Sequence, residues 1–67
     1  MTLLKSSNLA SADYNDELGE MVIEFNNGGV YAYKAPREAY EGLISAASPG
    51  KFFQSTIRNA GYPYRKL

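Results

Sequence analysis

The stretch Asn26-Asn27-Gly28-Gly29-Val30-Tyr31-Ala32-Tyr33 decides the fold. Asn-Gly between apolar runs is among the strongest hairpin signals, because both residues tolerate positive φ. Just before it, Met21, Ile23 and Phe25 alternate with Glu20, Val22 and Glu24. Strand side chains alternate with a period of two, so 20–25 has one apolar face and one mostly wet face. Just after it, Tyr31 and Tyr33 leave a second strand, 30–34, on one common face. Working upstream, 7–14 reads as a third strand. Its apolar residues Leu9, Ala12 and Tyr14 break strict alternation, which predicts a twist or bulge. Asn15-Asp16-Glu17-Leu18-Gly19 supplies the turn between the first two strands. Residues 1–6 read as a frayed end, with Leu3 and Leu4 able to tuck in.

Downstream the period changes. Tyr40, Leu43, Ile44 and Ala47 fall at i, i+3, i+4 and i+7, one apolar stripe of a helix. Pro36 suits its first position and Glu38 suits its dipole. Gly42 costs that helix about 1 kcal/mol against alanine, which implies a close approach to the sheet. Ser48 is placed to cap a second helix, with Pro49 at its first position. That helix spans 51–59, with Phe53 and Ile57 one turn apart in the core, Phe52 and Thr56 beside them, and Asn59-Ala60-Gly61 ending it. Pro63 keeps the tail, 62–67, extended. The predicted fold is α+β: a three-stranded antiparallel β-meander followed by two short α-helices packed on the sheet, β-β-β-α-α.

A chain of 67 residues holds a single domain, 1–67. A core of this size supplies a net stability on the order of 3–5 kcal/mol. With no cysteine and no histidine, disulfides and thiolate or imidazole metal sites are excluded. No cofactor is expected. Met1-Thr2-Leu3-Leu4-Lys5 runs straight into polar residues, so no signal-peptide core is present, and no stretch approaches the ~20 apolar residues of a membrane span. The expectation is a soluble, cytoplasmic protein. Net charge is zero but unevenly spread. Residues 1–41 hold three cations against seven acids, a net of −4, whereas 42–67 hold Lys51, Arg58, Arg65 and Lys66 and no acid, a net of +4. Such a split fits either a basic partner surface or an uneven but merely solvated exterior.

Taken in order, Ser6-Ser7-Asn8-Leu9, Tyr14-Asn15, Phe25 with Gly28 and Gly29, Tyr31 and Tyr33, Pro36 with Tyr40 and Leu43, Ala47-Ser48 with Gly50, Phe53 with Ile57, and the closing Tyr62-Pro63-Tyr64 resemble the KTSC domain. That family is named for its presence at the C-terminus of some lysyl-tRNA synthetases, and its members also occur as small bacterial and phage proteins. The likeness covers residues 6–67 and departs at Ala39, where a larger aliphatic residue is expected. What the resemblance implies for function is RNA binding, suggested by the setting beside a tRNA enzyme.

The residues offer two classes of function. Lys51, Arg58, Arg65 and Lys66, interleaved with Tyr62 and Tyr64, have the composition of a nucleic-acid or nucleotide surface: cations for phosphates and rings for bases. Lys51 and Arg58, seven apart, would share one face of a regular helix. Tyr31 and Tyr33 would join as a stacking platform if exposed. If instead they share the face of Met21, Ile23 and Phe25 they are core, and at least one of them is expected to be so. The alternative class is protein interaction. An exposed sheet edge pairs readily with a second copy or another chain, which would make the protein a homo-oligomer or adaptor. A phage-type member would act as a small inhibitor or sequester a nucleotide. Catalysis is not expected, since no His or Cys is available as base or nucleophile and Asn-Asn-Gly-Gly is a hairpin turn rather than a phosphate loop. The expected partners are therefore a tRNA-like RNA or a nucleotide, or else a protein, with no membrane.

Overall fold

The Asn26–Gly29 turn folds tightly, but through different chemistry from that predicted. Only Gly28 has positive φ, at 95°. Asn27 contributes its side chain instead, its Oδ1 accepting from the Gly29 N–H at 3.0 Å. The Phe25 N–H donates to the Gly29 carbonyl at 2.8 Å and closes the loop. The computed structural model describes residues 2–4 and 8–67.

The strands are β1 (Thr2–Leu3), β2 (Leu9–Asn15), β3 (Glu20–Phe25), β4 (Val30–Lys34) and β5 (Tyr64–Lys66), in that order across one antiparallel sheet. The predicted meander is its centre. The expected bulge is present as a register shift between Leu9 and Ser11, which returns Leu9 and Ala12 to one face. Two elements differ from expectation. Thr2 and Leu3 pair with Ala12 and Ser11 rather than fraying, whereas residues 1, 5 and 6 of the expected frayed end, and the Ser7 start of the expected first strand, lie outside the described residues. The extended tail pairs as β5 along β4, with the Lys34 N–H donating to the Pro63 carbonyl and the Leu67 N–H to the Val30 carbonyl, both at 2.8 Å.

Helix α1 spans Arg37–Ser45, with Pro36 just outside it in extended conformation. The chain then forms α2, Pro49–Phe52, which widens without a break into a π-helical turn, Phe53–Arg58. Pro49 takes the first position as predicted, but Ser48 makes no side-chain cap bond. Gly61, at φ 72°, reverses the chain toward β5.

Both helices lie on one face of the sheet. Leu9, Ala12, Met21 and Ile23 meet Ala39, Tyr40, Leu43, Phe53 and Ile57 there. Tyr40 and Leu43 carry the apolar stripe, while Ala47 falls beyond the end of α1 and is exposed. The small Ala39 is buried in this core. Gly42 does allow a close approach, but to α2 rather than to the sheet: a Cβ there would lie 2.5 Å from the ring tip of Phe52. Arg37 anchors the start of α1. It pairs with Asp16 in the β2–β3 turn at 2.8 Å and with Glu41 at 3.2 Å, and its guanidinium lies within 6 Å of the rings of Tyr14 (5.7 Å) and Tyr40 (5.9 Å). The Tyr14 hydroxyl donates to the Ala35 carbonyl at 2.7 Å, tying β2 to the chain entering α1. No helix among the described residues is long and apolar enough to cross a membrane.

Burial falls away across the sheet. β2 and β3 are covered by the helices, β4 is half-covered, and every residue of β5 is exposed. The helix layer therefore stops short of the β4–β5 side, and the candidate site lies in the space left open.

Candidate functional site

Register places Tyr31 opposite Ile23 and Tyr33 opposite Met21, so both tyrosines lie on the helix-covered face. Tyr64 of β5 sits opposite Tyr33 on that same face. Because the helices end before β4 and β5, these rings are only partly covered. Tyr33 packs against the core cluster, as expected for at least one of the pair, and Tyr31 is half-buried at its margin.

Five rings close into a cycle. Phe25 meets Tyr31 at 5.6 Å between centroids, Tyr31 meets Tyr64 at 5.9 Å, and Tyr64 meets Tyr33 at 5.3 Å. Tyr33 meets Phe53 at 5.5 Å, and Phe53 returns to Phe25 at 5.6 Å. Four of these five contacts are edge-to-face, the geometry that ring quadrupoles favour. The rings touch one another, so they make a continuous aromatic surface rather than a hollow cage for a cation.

This surface floors an open cleft of about 480 Å³, completed by Tyr62 and by Arg58 at the end of the π-turn. A second cleft of about 550 Å³ adjoins it and shares Phe25, Asn27, Phe53 and Arg58. Burial pushes the Tyr33 phenol above its ordinary pKa; Tyr64 and Tyr31 add to the shift, and the nearby Arg58 charge opposes it. Arg58 has no ion pair among the described residues, whereas Arg37 and Arg65 do. A cation beside aromatic rings in an open cleft suits a ligand with a flat π-system and a negative charge.

The sequence-nominated residues therefore divide. Tyr31, Tyr33, Tyr62, Tyr64 and Arg58 come together in one cleft. Lys66 stands opposite Tyr31 on β5, at the cleft's outer end. Arg65 does not join them. A strand alternates its side chains, so Arg65 leaves β5 on the helix-free face, where it pairs with Glu20 at 3.0 Å. Lys51 is exposed in α2 and lines neither cleft. A π-turn holds more residues per turn than an α-helix, so the seven-residue spacing no longer aligns Lys51 with Arg58. Among the described residues no three His, Cys, Asp or Glu gather as a metal site.

Sequence reasoning placed Phe25 and Phe53 in the core and overlooked Asn27 and Gln54 as lining residues. The available signal was the strand period itself: Phe25 shares its face with Tyr31 once the two strands are hairpin neighbours.

An antiparallel sheet with two helices over one half and an aromatic cleft at the other defines a small single-domain α+β class. Residues 5–62 match the family model of the KTSC domain, and the chain belongs to that family. It is 34% identical over 65 residues to an uncharacterised protein of Stutzerimonas stutzeri (strain A1501), covering 96% of this chain and 92% of that one. It superposes on the crystal structure of a KTSC domain protein from Yersinia pestis with a TM-score of 0.89 at 30% identity, over 98% of this chain and 93% of that one.

Proposed function

We propose that this KTSC domain is a non-catalytic binding module that takes single-stranded RNA weakly, stacking bases on the Phe25–Tyr31–Tyr64–Tyr33–Phe53 surface. The observation that carries this is the five-ring cycle left open beside Arg58, a cation without an ion pair among the described residues. Aromatic faces accept any base, and a guanidinium supplies the phosphate contact. Beside the aliphatic Leu9 and Ile57, the lining side chains are aromatic, amide and guanidinium groups, suited to stacking and hydrogen bonding. The family's setting beside a tRNA enzyme favours RNA as the strand.

Tyr64 provides the test, because it is 64% exposed and its loss leaves the core intact. Fluorescence anisotropy with a labelled single-stranded RNA at low salt should show binding by the parent. Tyr64→Ala should weaken it by about 1–3 kcal/mol, or roughly 5- to 160-fold, with folding stability lowered by only about 1 kcal/mol, the worth of its cross-strand ring pairing with Tyr33. Equal affinity of parent and variant would refute the stacking surface.

A further inference from the structure

The second cleft differs in chemistry from the first, although the two share a wall. Phe25 and Phe53, 5.6 Å apart and edge-to-face, stand between them. On one side lie the four tyrosines. On the other lie Asn8, Asn26 and the exposed Gln54, with Gly50 contributing no side chain at all. Arg58 borders both sides. Carboxamides are the side chains that pair with base edges and with the ribose 2′-hydroxyl, whereas rings bind base faces without regard to identity.

We infer that the two clefts are subsites of one site, and that its ligand is a two-nucleotide step of single-stranded RNA. One base stacks in the tyrosine cleft. The next is splayed around the Phe25–Phe53 wedge into the amide cleft, and Arg58 at the junction holds the phosphate that joins them. This rests on the stacking reading above and adds a second, hydrogen-bonding subsite to it. Three observations support the assignment. The clefts are contiguous and each is of a size that holds a small ligand. Among the described residues, the sole cation on their walls borders both. The Phe25–Phe53 pair lines both clefts and so stands between the subsites, as expected where single-stranded bases are splayed for recognition.

The experiment is a chemical-shift titration of the protein with 5′-AMP and with the ribodinucleotide ApA. ApA should bind at least about tenfold more tightly than AMP, the worth of one further bound base. Gln54 is exposed at the amide cleft, so Gln54→Ala should fold as the parent does. That variant should lose most of the ApA advantage and keep its AMP affinity, whereas Tyr64→Ala should weaken both ligands. ApA and AMP binding equally well, or Gln54→Ala leaving their ratio unchanged, would overturn the two-subsite inference and leave the stacking reading standing. Binding of neither ligand would overturn both.

Discussion

Replacing Arg58 by glutamine should abolish most of the salt dependence of RNA binding, and the structure sets the size of the effect. Each phosphate neutralised on a single strand lowers log K by about 0.7 per decade of salt. Had all four cations of residues 42–67 contacted the strand, the slope would be about −2.8, and affinity would fall roughly 50-fold between about 50 and 200 mM salt. Of these four, Arg58 alone lines the clefts, with Lys66 opposite Tyr31 at their margin, while Arg65 is on the opposite face and paired with Glu20. One contact gives a slope of about −0.7 and a fall of roughly 2.6-fold; a second from Lys66 gives about −1.4 and roughly 7-fold. Anisotropy titrations at a series of salt concentrations separate these cases easily. The parent should fall between the two smaller values, Arg58→Gln should reduce the slope by about 0.7, and Arg65→Ala should leave it unchanged. A parent slope near −2.8, or a slope halved by Arg65→Ala, would show that the strand crosses the helix-free face and would refute the placement of the site.

Other consequences test the scaffold. Gly42→Ala gains about 1 kcal/mol of helix propensity but drives a Cβ into Phe52, and overpacking of that kind costs typically about 1–3 kcal/mol. The variant should melt below the parent, and the same change in a Phe52→Leu background should melt above it; a Gly42→Ala protein at least as stable as the parent would remove the contact as the reason for glycine. Ile57 is 0% exposed, so Ile57→Ala should cost about 2–5 kcal/mol, enough to unfold most of a domain whose total is on the order of 3–5, read by circular dichroism at 25 °C. The Arg65 guanidinium, donating to Glu20, holds that carboxyl below its ordinary value of 4.5. The folded-state pKa is depressed, so this pair stabilises the fold above pH ~4.5 and its contribution disappears as pH falls through the lower folded value. Thermal melts from about pH 6 to about pH 3 should therefore fall less steeply for Glu20→Gln than for the parent, and parallel profiles would count against the pair.

The centre of the fold was legible because its signals are local. Met21, Ile23 and Phe25 state their face by alternation, and the Asn-Gly turn states its partner by adjacency. The bulge near Ala10 was legible for the same reason, as a broken period. The edge strands were not. β1 has two residues and β5 three, too few to show a period, and β5 is joined to a strand some thirty residues earlier by main-chain bonds that leave no compositional trace. The π-turn has no signature in Phe53–Arg58 either, yet it decides that Arg58 faces the clefts and Lys51 does not. The candidate site was thus half readable: the four tyrosines were found and Phe25 and Phe53 were assigned to the core, while the cations were grouped by composition although strand alternation already sends Arg65 and Lys66 to opposite sides.

The two walls of the tyrosine cleft are under unlike constraints. Phe25 and Phe53 pack on the buried core, so any change there is also a change in folding free energy. Tyr64 stands on a strand attached through its backbone, with all three of its side chains in solvent. Backbone pairing tolerates almost any side chain except proline at a donating position. The outer wall can therefore drift in sequence while the fold stays in place, so relatives with one scaffold can diverge in what they bind, and a designer seeking a new ligand should randomise positions 64 and 66 before touching the floor.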